Sequence, residues 1–244
     1  MQGIKYGITY NGLHSYRDFG LTVTAKTVGF PERTPVLLRP PYSNKPIDLS
    51  NLYGHTVFGD RALKVEFLIR DFKTMTKQGL SDKLTLVANW LESSMGRTPL
   101  YDDVAPAYYY LGEPVTALDW AEMRAHGRLT VEWTCNPYRV AKEAEGNQRW
   151  NDLNADLDVA QDTQFTVAGP STLMLINASS ELAQPSITTT GTVTININGT
   201  DIELVEGTTV PINQAYPLTL QAGVNFVTVG GTGTISFTWY KEVL

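Results

Sequence analysis

The chain is poor in the residues that build covalent and metal sites. Its 244 residues include one cysteine, Cys135, which excludes an internal disulfide framework and points to folding in a reducing cytoplasm. The three histidines, His14, His55 and His126, lie far apart and share no ligand spacing with Cys135, so no metal site is expected from them. No run of about eighteen apolar residues occurs, so no spanning helix or membrane anchor is expected. The opening MQGIKYGITYNG lacks the basic start and apolar core of a signal peptide. The triplets Asn177-Ala178-Ser179 and Asn198-Gly199-Thr200 therefore carry little weight as glycosylation sites. Positive charge is scarce in one half. Residues 1–150 hold 18 Lys and Arg against 16 Asp and Glu, whereas residues 151–244 hold Lys241 alone against nine acids. That break marks a domain boundary between 150 and 151. It also argues against nucleic acid as a partner of the C-terminal half, which has no cations to neutralise phosphates.

What is present is enough apolar residue, 42%, to bury a core. Only one stretch reads as a long helix, 81–95. Ser81 is its expected N-cap, Asp82 sits in its first turn, and Leu84, Val87, Ala88, Leu91 and Met95 fall on one face. Gly96 and Pro99 supply the stop. A single apolar helical face needs a sheet to receive it. LYDDVAP and Tyr108-Tyr109-Tyr110 read as the return into that sheet, with at least one tyrosine exposed or in a contact.

Strands are expected at 3–9, 19–26, 62–70 and 128–135. Leu63, Val65, Phe67 and Ile69 face inward in one of them; Leu129, Val131, Trp133 and Cys135 do so in another, which Asn136-Pro137-Tyr138 closes. Segment 30–60 holds five prolines between short apolar pieces, too many for a helix or a central strand. It reads as an extended arm or hairpin leaving the core, with a long surface loop as the plainer alternative. From Gln164 the pattern changes to short Thr-rich strands parted by Gly, Asn and Pro. TVTININGTDIELVEG is a hairpin, with Val193, Ile195 and Ile197 alternating into an Asn198-Gly199 type I′ turn and Ile202 and Leu204 returning. Seven or eight such strands indicate a β-sandwich.

Candidate chemistry is thin. Asp152, Asn154, Asp156 and Asp158 mimic the start of a calcium loop, but Leu157 replaces the central glycine and Thr163 the final glutamate, so an acidic linker fits better. Asp102-Asp103 could be a catalytic carboxylate pair, but a turn-capping role fits their place between elements. Gly230-Gly231-Thr232-Gly233 lacks the strand and helix of a phosphate loop and reads as a loose turn. Cys135 on an inward face reads as core rather than nucleophile. Trp133, Phe237 and Trp239 alternate with polar residues and read as core. No catalytic, cofactor-binding, metal-ligating or ligand-binding residue is assigned, no cofactor is expected, and the chain does not read as an enzyme. An enzyme acting on polysaccharide would need two carboxylates flanking a bond, and nothing here favours such a pair.

In order and spacing, ITYNG, DFGL, IDLSNLYG, GDR, ALKVEF, WLESSMG, LYDDVAPAYYY, TCNPYR and LQAGVNFVTVGGTGTISFTW resemble the distal tail proteins of long-tailed, non-contractile phages. The resemblance runs through most of the chain. It implies that residues 1–150 are a ring-forming α+β module with an antiparallel sheet, assembling as a homo-hexamer between the tail tube protein and the tail-associated hub protein. The arm within 30–60 would reach a neighbouring subunit, and DNA would only pass through the channel. Residues 151–244 would be a galectin-like or carbohydrate-module-like sandwich, contacting receptor-binding or baseplate proteins in some relatives. The implied place is the virion tail tip, after assembly in the host cytoplasm. The expected fold is thus mainly β with one helix. The chain departs from a galectin-type sugar site in having no histidine in 127–244 and no arginine from Trp150 onward. The alternative reading is a carbohydrate-binding module protein that contacts host cell-wall glycan.

Overall fold

A computed structural model describes residues 6–50, 56–70, 76–115, 119–122, 126–147, 154, 156–204, 206–211 and 217–244. It is mainly β with one helix, and it divides into two units: residues 1–139 with Leu244, and residues 140–243. The boundary expected between 150 and 151 lies outside the described residues.

The first unit contains β1 (Ile8–Tyr10), β2 (Leu13–His14), β3 (Thr22–Val28), β4 (Leu37–Leu38), β5 (Ile47–Asp48) and β6 (Arg61–Ile69). Helix α1 (Lys77–Glu92), β7 (Thr98–Asp102), β8 (Tyr108–Pro114), β9 (Asp119–Glu122) and most of β10 (Gly127–Ala144) follow. The main sheet runs β2-β1-β7-β8-β10-β6-β3, with β9 also paired to β10. Its centre is the β6/β10 ladder, where Phe67 opposes Leu129, Val65 opposes Val131 and Leu63 opposes Trp133, all buried. Period-two alternation turns these side chains to one face.

Several expected boundaries shift. The strand expected at 3–9 covers Ile8–Tyr10 among the described residues, and the one expected at 19–26 runs from Thr22 to Val28. The strand at 128–135 does not close at Asn136-Pro137-Tyr138 but continues to Ala144. Its register with β6 ends at Cys135 opposite Arg61, so Pro137 stands past that ladder, where a missing N–H costs no bond to β6. The helix begins at Lys77, not after Ser81. Thr76 is the N-cap, its hydroxyl accepting the Gly79 N–H at 3.1 Å. Asp82 therefore falls outside the first turn.

The buried helical face is Leu80, Val87, Trp90 and Leu91, with Leu84 packed at its margin. The helix ends at Glu92 with Ser93 as its C-cap, so Gly96 (φ +72°) is not its stop, and Met95 lies beyond the helix end, fully exposed. Trp90 ties the helix to the sheet. Its indole N–H donates to the Tyr10 carbonyl at 2.9 Å, and its ring stacks on Phe19 with centroids 4.6 Å apart. Tyr10 in turn meets Trp133 edge-on at 5.9 Å.

The second unit contains β11 (Gln164–Ala168), β12 (Ser171–Asn177), β13 (Ser186–Ile197), β14 (Thr200–Leu204), β15 (Gly207–Thr209), β16 (Gly223–Thr238) and β17 (Tyr240–Val243). Strands β11 to β16 form one antiparallel sheet, and β17 pairs with β10. Two long strands carry two sets of partners each. One edge of β16 meets β12 along its first half and β11 along its second, while β13 lies on the other edge. β13 likewise meets β14 near its end and β15 near its start. The sheet curls midway, and the odd-numbered side chains Ile187, Val193, Ile195, Val227, Val229, Ile235 and Phe237 share one core. This is a β-sandwich made from a folded sheet. The hairpin of β13 and β14 turns at Asn198 (φ +53°) and Gly199 (φ +82°), the type I′ signature. The segment 230–233 is not a loose turn: it lies inside β16, at the fold line.

Candidate functional site

The described residues of 30–60 pair as a hairpin. At its base the Thr34 N–H donates to the Val57 carbonyl at 2.9 Å and the Gly59 N–H to the Glu32 carbonyl at 2.8 Å. Farther out, Leu37 opposes Asp48 and Leu38 opposes Ile47. The Leu49 N–H donates to the Val36 carbonyl at 2.8 Å, and Ser50 accepts from the Val36 N–H at 3.0 Å. The Asp48 carboxylate accepts from the Ser50 side chain and its N–H, which hold its pKa below the ordinary value. Pro40, Pro41 and Pro46 punctuate the connection between the two strands.

Neighbouring residues of a strand point to opposite faces, yet Leu37 (47%) and Leu38 (53%) are both exposed. Val36, Ile47 and Tyr42 are exposed as well. Neither face of the arm has a core behind it. An exposed apolar two-stranded ribbon is unstable alone in water and is normally covered by another surface. Tyr42 also holds a left-handed backbone at φ +63°.

The titratable candidates take structural places. Asp102 and Asp103 diverge: Asp102 pairs with Lys26 and accepts the Val104 N–H at 3.1 Å, which is the expected cap of the turn. Asp103 accepts the Gly7 N–H at 2.9 Å and meets His14 Nε2 at 3.0 Å. His14 Nδ1 accepts the Tyr16 and Arg17 N–H groups at 3.1 and 3.0 Å, so Nε2 carries the proton given to Asp103. His55 lies outside the described residues, and His126 is half-buried immediately before β10.

Cys135 is fully buried, and burial pushes its thiol up to about 12, far from a thiolate nucleophile. Of the calcium-like acids, Asp152 lies outside the described residues, while Asp158 pairs with Lys241 and accepts the Asn154 N–H at 2.8 Å. Among the described residues no cluster of His, Cys, Asp and Glu is arranged to hold a metal. Tyr108 and Tyr110 are buried, while Tyr109 is half-buried against Tyr101, ring centroids 5.4 Å apart. Trp133, Phe237 and Trp239 are core.

No protein-family model matches the chain, and no curated protein matches it. Among solved structures it matches the crystal structure of SPP1 Dit (gp 19.1), described as a paradigm of the hub adsorption apparatus in phages infecting Gram-positive hosts. The match covers 99% of this chain and 100% of that one, with a TM-score of 0.66 and 11% identity. The chain has the Dit fold. The match covers residues of both units.

Two features escaped the sequence reading. Trp90 was hidden because its partners, Phe19 and Tyr10, are remote in sequence. Met174, Val224 and Phe226 are exposed on the outer face of the sandwich, Met174 directly opposite Phe226. Their alternation with buried neighbours resembles that of any half-buried strand, and only the register places them together.

Proposed function

We propose that the chain is a structural component of a phage tail tip that works by assembly rather than turnover. Copies close into a ring, six in number as the resemblance implies. The ring joins the tail tube protein to the tail-associated hub protein and leaves a channel for DNA. The first unit forms the ring, and the second faces receptor-binding or baseplate proteins.

The observation that carries this reading is the end-to-end likeness to SPP1 Dit, a protein named for a hub adsorption apparatus. The arm gives it a physical means. Two apolar faces with no core of their own are stabilised when a second copy covers them, by about 25 cal/mol per Å² of apolar surface removed from water. Electron microscopy of the purified full chain tests it. Closed rings with a central opening are expected; dispersed single copies at high concentration, with and without tube and hub proteins, would refute it.

A further inference from the structure

Strand β12 borders the sandwich sheet. It pairs with the first half of β16, and among the described residues no strand lies along its other edge. Ile176 tells the two edges apart. Its N–H donates to Gln161 Oε1 at 2.8 Å and its carbonyl accepts from Gln161 Nε2 at 2.7 Å, so both groups point away from β16. In an antiparallel ladder the residues that turn their backbone groups outward recur at every second position. Thr172 and Met174 therefore also direct N–H and C=O away from β16, and both residues are exposed.

The Gln161 amide stands in for a partner strand at Ile176 and closes that end of the edge. Among the described residues nothing equivalent closes Thr172 and Met174. Exposed edges are normally guarded by a lysine, a proline or a bulge. Here the register runs unbroken from Ser171 opposite Val229 to Asn177 opposite Gly223, and neither strand holds a charged side chain or a proline.

The open edge adjoins an apolar face. Met174 lies opposite Phe226 and Ile176 opposite Val224, and period-two alternation turns all four outward. Phe226, the largest of them, is 72% exposed. An extended segment added along β12 would satisfy the backbone groups of Thr172 and Met174. It would also lay alternate side chains against Met174, at the margin of the patch that Phe226 continues.

Charge limits what that segment is. Residues 151–244 carry nine acids against Lys241, which is fully buried and paired with Asp158. The β12 edge of a second copy would bring the same surplus of negative charge to the contact, whereas a segment carrying Lys or Arg is attracted.

We propose that β12 binds an extended, cationic segment of another protein by strand addition at Thr172 and Met174. The inference rests on the reading that the second unit faces other proteins of the tail tip, and it assigns that contact an edge and a mode.

The test is hydrogen exchange of the full chain, read by mass spectrometry on the fragment that spans β12. The probe is the peptide acetyl-Lys-Val-Thr-Val-Thr-Val-Lys-amide. The Thr172 and Met174 amides should exchange fast in the free chain, and about 10 mM peptide should slow them about tenfold, as a Kd of about 1 mM requires. A version N-methylated at alternate amides should give no protection, and one with Glu in place of both lysines should bind more weakly. Met174→Lys places a cation on the exposed face and should weaken binding about tenfold while leaving the thermal midpoint in place. No protection by the lysine peptide, equal protection by either altered peptide, or unchanged binding by folded Met174→Lys would each overturn the proposal. Protection that rises with protein concentration alone would name a second copy as the occupant and overturn it too. Particle mass measured on the same samples reports assembly separately, so Met174→Lys should lose the peptide and keep the ring.

Discussion

A side-chain carbon on Gly231 would lie 2.1 Å from the carbonyl oxygen of Thr192, across the β13/β16 ladder. Gly231 also holds φ +95°, and Gly233, at φ +155°, would meet the Thr190 carbonyl at 1.9 Å. The two long strands approach this closely because they fold there, bringing both halves of the sheet onto one core. Gly231→Ala should cost about 3 kcal/mol or more, from the backbone clash added to left-handed strain. Gly169→Ala, at φ +106° with open space around it, should cost only about 1 kcal/mol. Urea unfolding of both variants checks this, and equal losses would remove the fold-line account.

Lys26 and Asp102 form a largely buried pair that joins β3 to the end of β7. Asp102→Asn leaves the ammonium without its counter-charge and should cost about 2 kcal/mol at neutral pH. Burial, the largest single influence, lowers the Lys26 pKa, but the hydrogen bonds and charges of Asp102 and Tyr6 together outweigh it and the net shift is upward from 10.5. A raised folded pKa gives stability that is fully present below the unfolded value and lost as pH rises through the folded one. The stability gap between wild type and variant should therefore narrow above about pH 10.5 and stay constant from pH 6 to 9. Denaturant midpoints across that range measure it.

Glu145 behaves in the opposite manner to a paired carboxylate. Burial raises its pKa above 4.5, against the lowering effects of Gln161 and Lys241. The folded state then holds the proton more tightly than the unfolded state, so stability declines as pH rises from 4.5 through the folded value. Glu145→Gln keeps the shape without the charge. It should raise stability at pH 7 by about 1 kcal/mol and flatten the pH dependence above 4.5. Thermal melts at pH 4 and pH 7 decide it: an unchanged slope in the variant would place the proton elsewhere.

Where local physics decides, the sequence was legible. Alternation fixed the inward faces of β6 and β10, and Asn198-Gly199 fixed the β13/β14 turn, because both are set by neighbours along the chain. The helix start was misplaced because Thr76 and Ser81 offer the same capping hydroxyl and Gly79 looks like a poor helix residue. Pro137 looked like a strand end because its missing N–H matters only if a ladder needs it, and the β6 ladder ends before it. Asp102 and Asp103 could not be resolved from each other until Lys26 and His14 were placed around them. The apolar arm was visible through its prolines, but only exposure on both faces showed that it has no core of its own.

The account stands on copies of this chain holding one another through the arm. Mass photometry of the purified full chain, beside a Leu37→Asp, Leu38→Asp variant, tests that directly. Wild type should appear as a closed assembly, about 160 kDa for six copies of the 27.0 kDa chain, and the variant should fall to smaller species while keeping its circular-dichroism spectrum. A single 27.0 kDa species for both proteins at every concentration would contradict it.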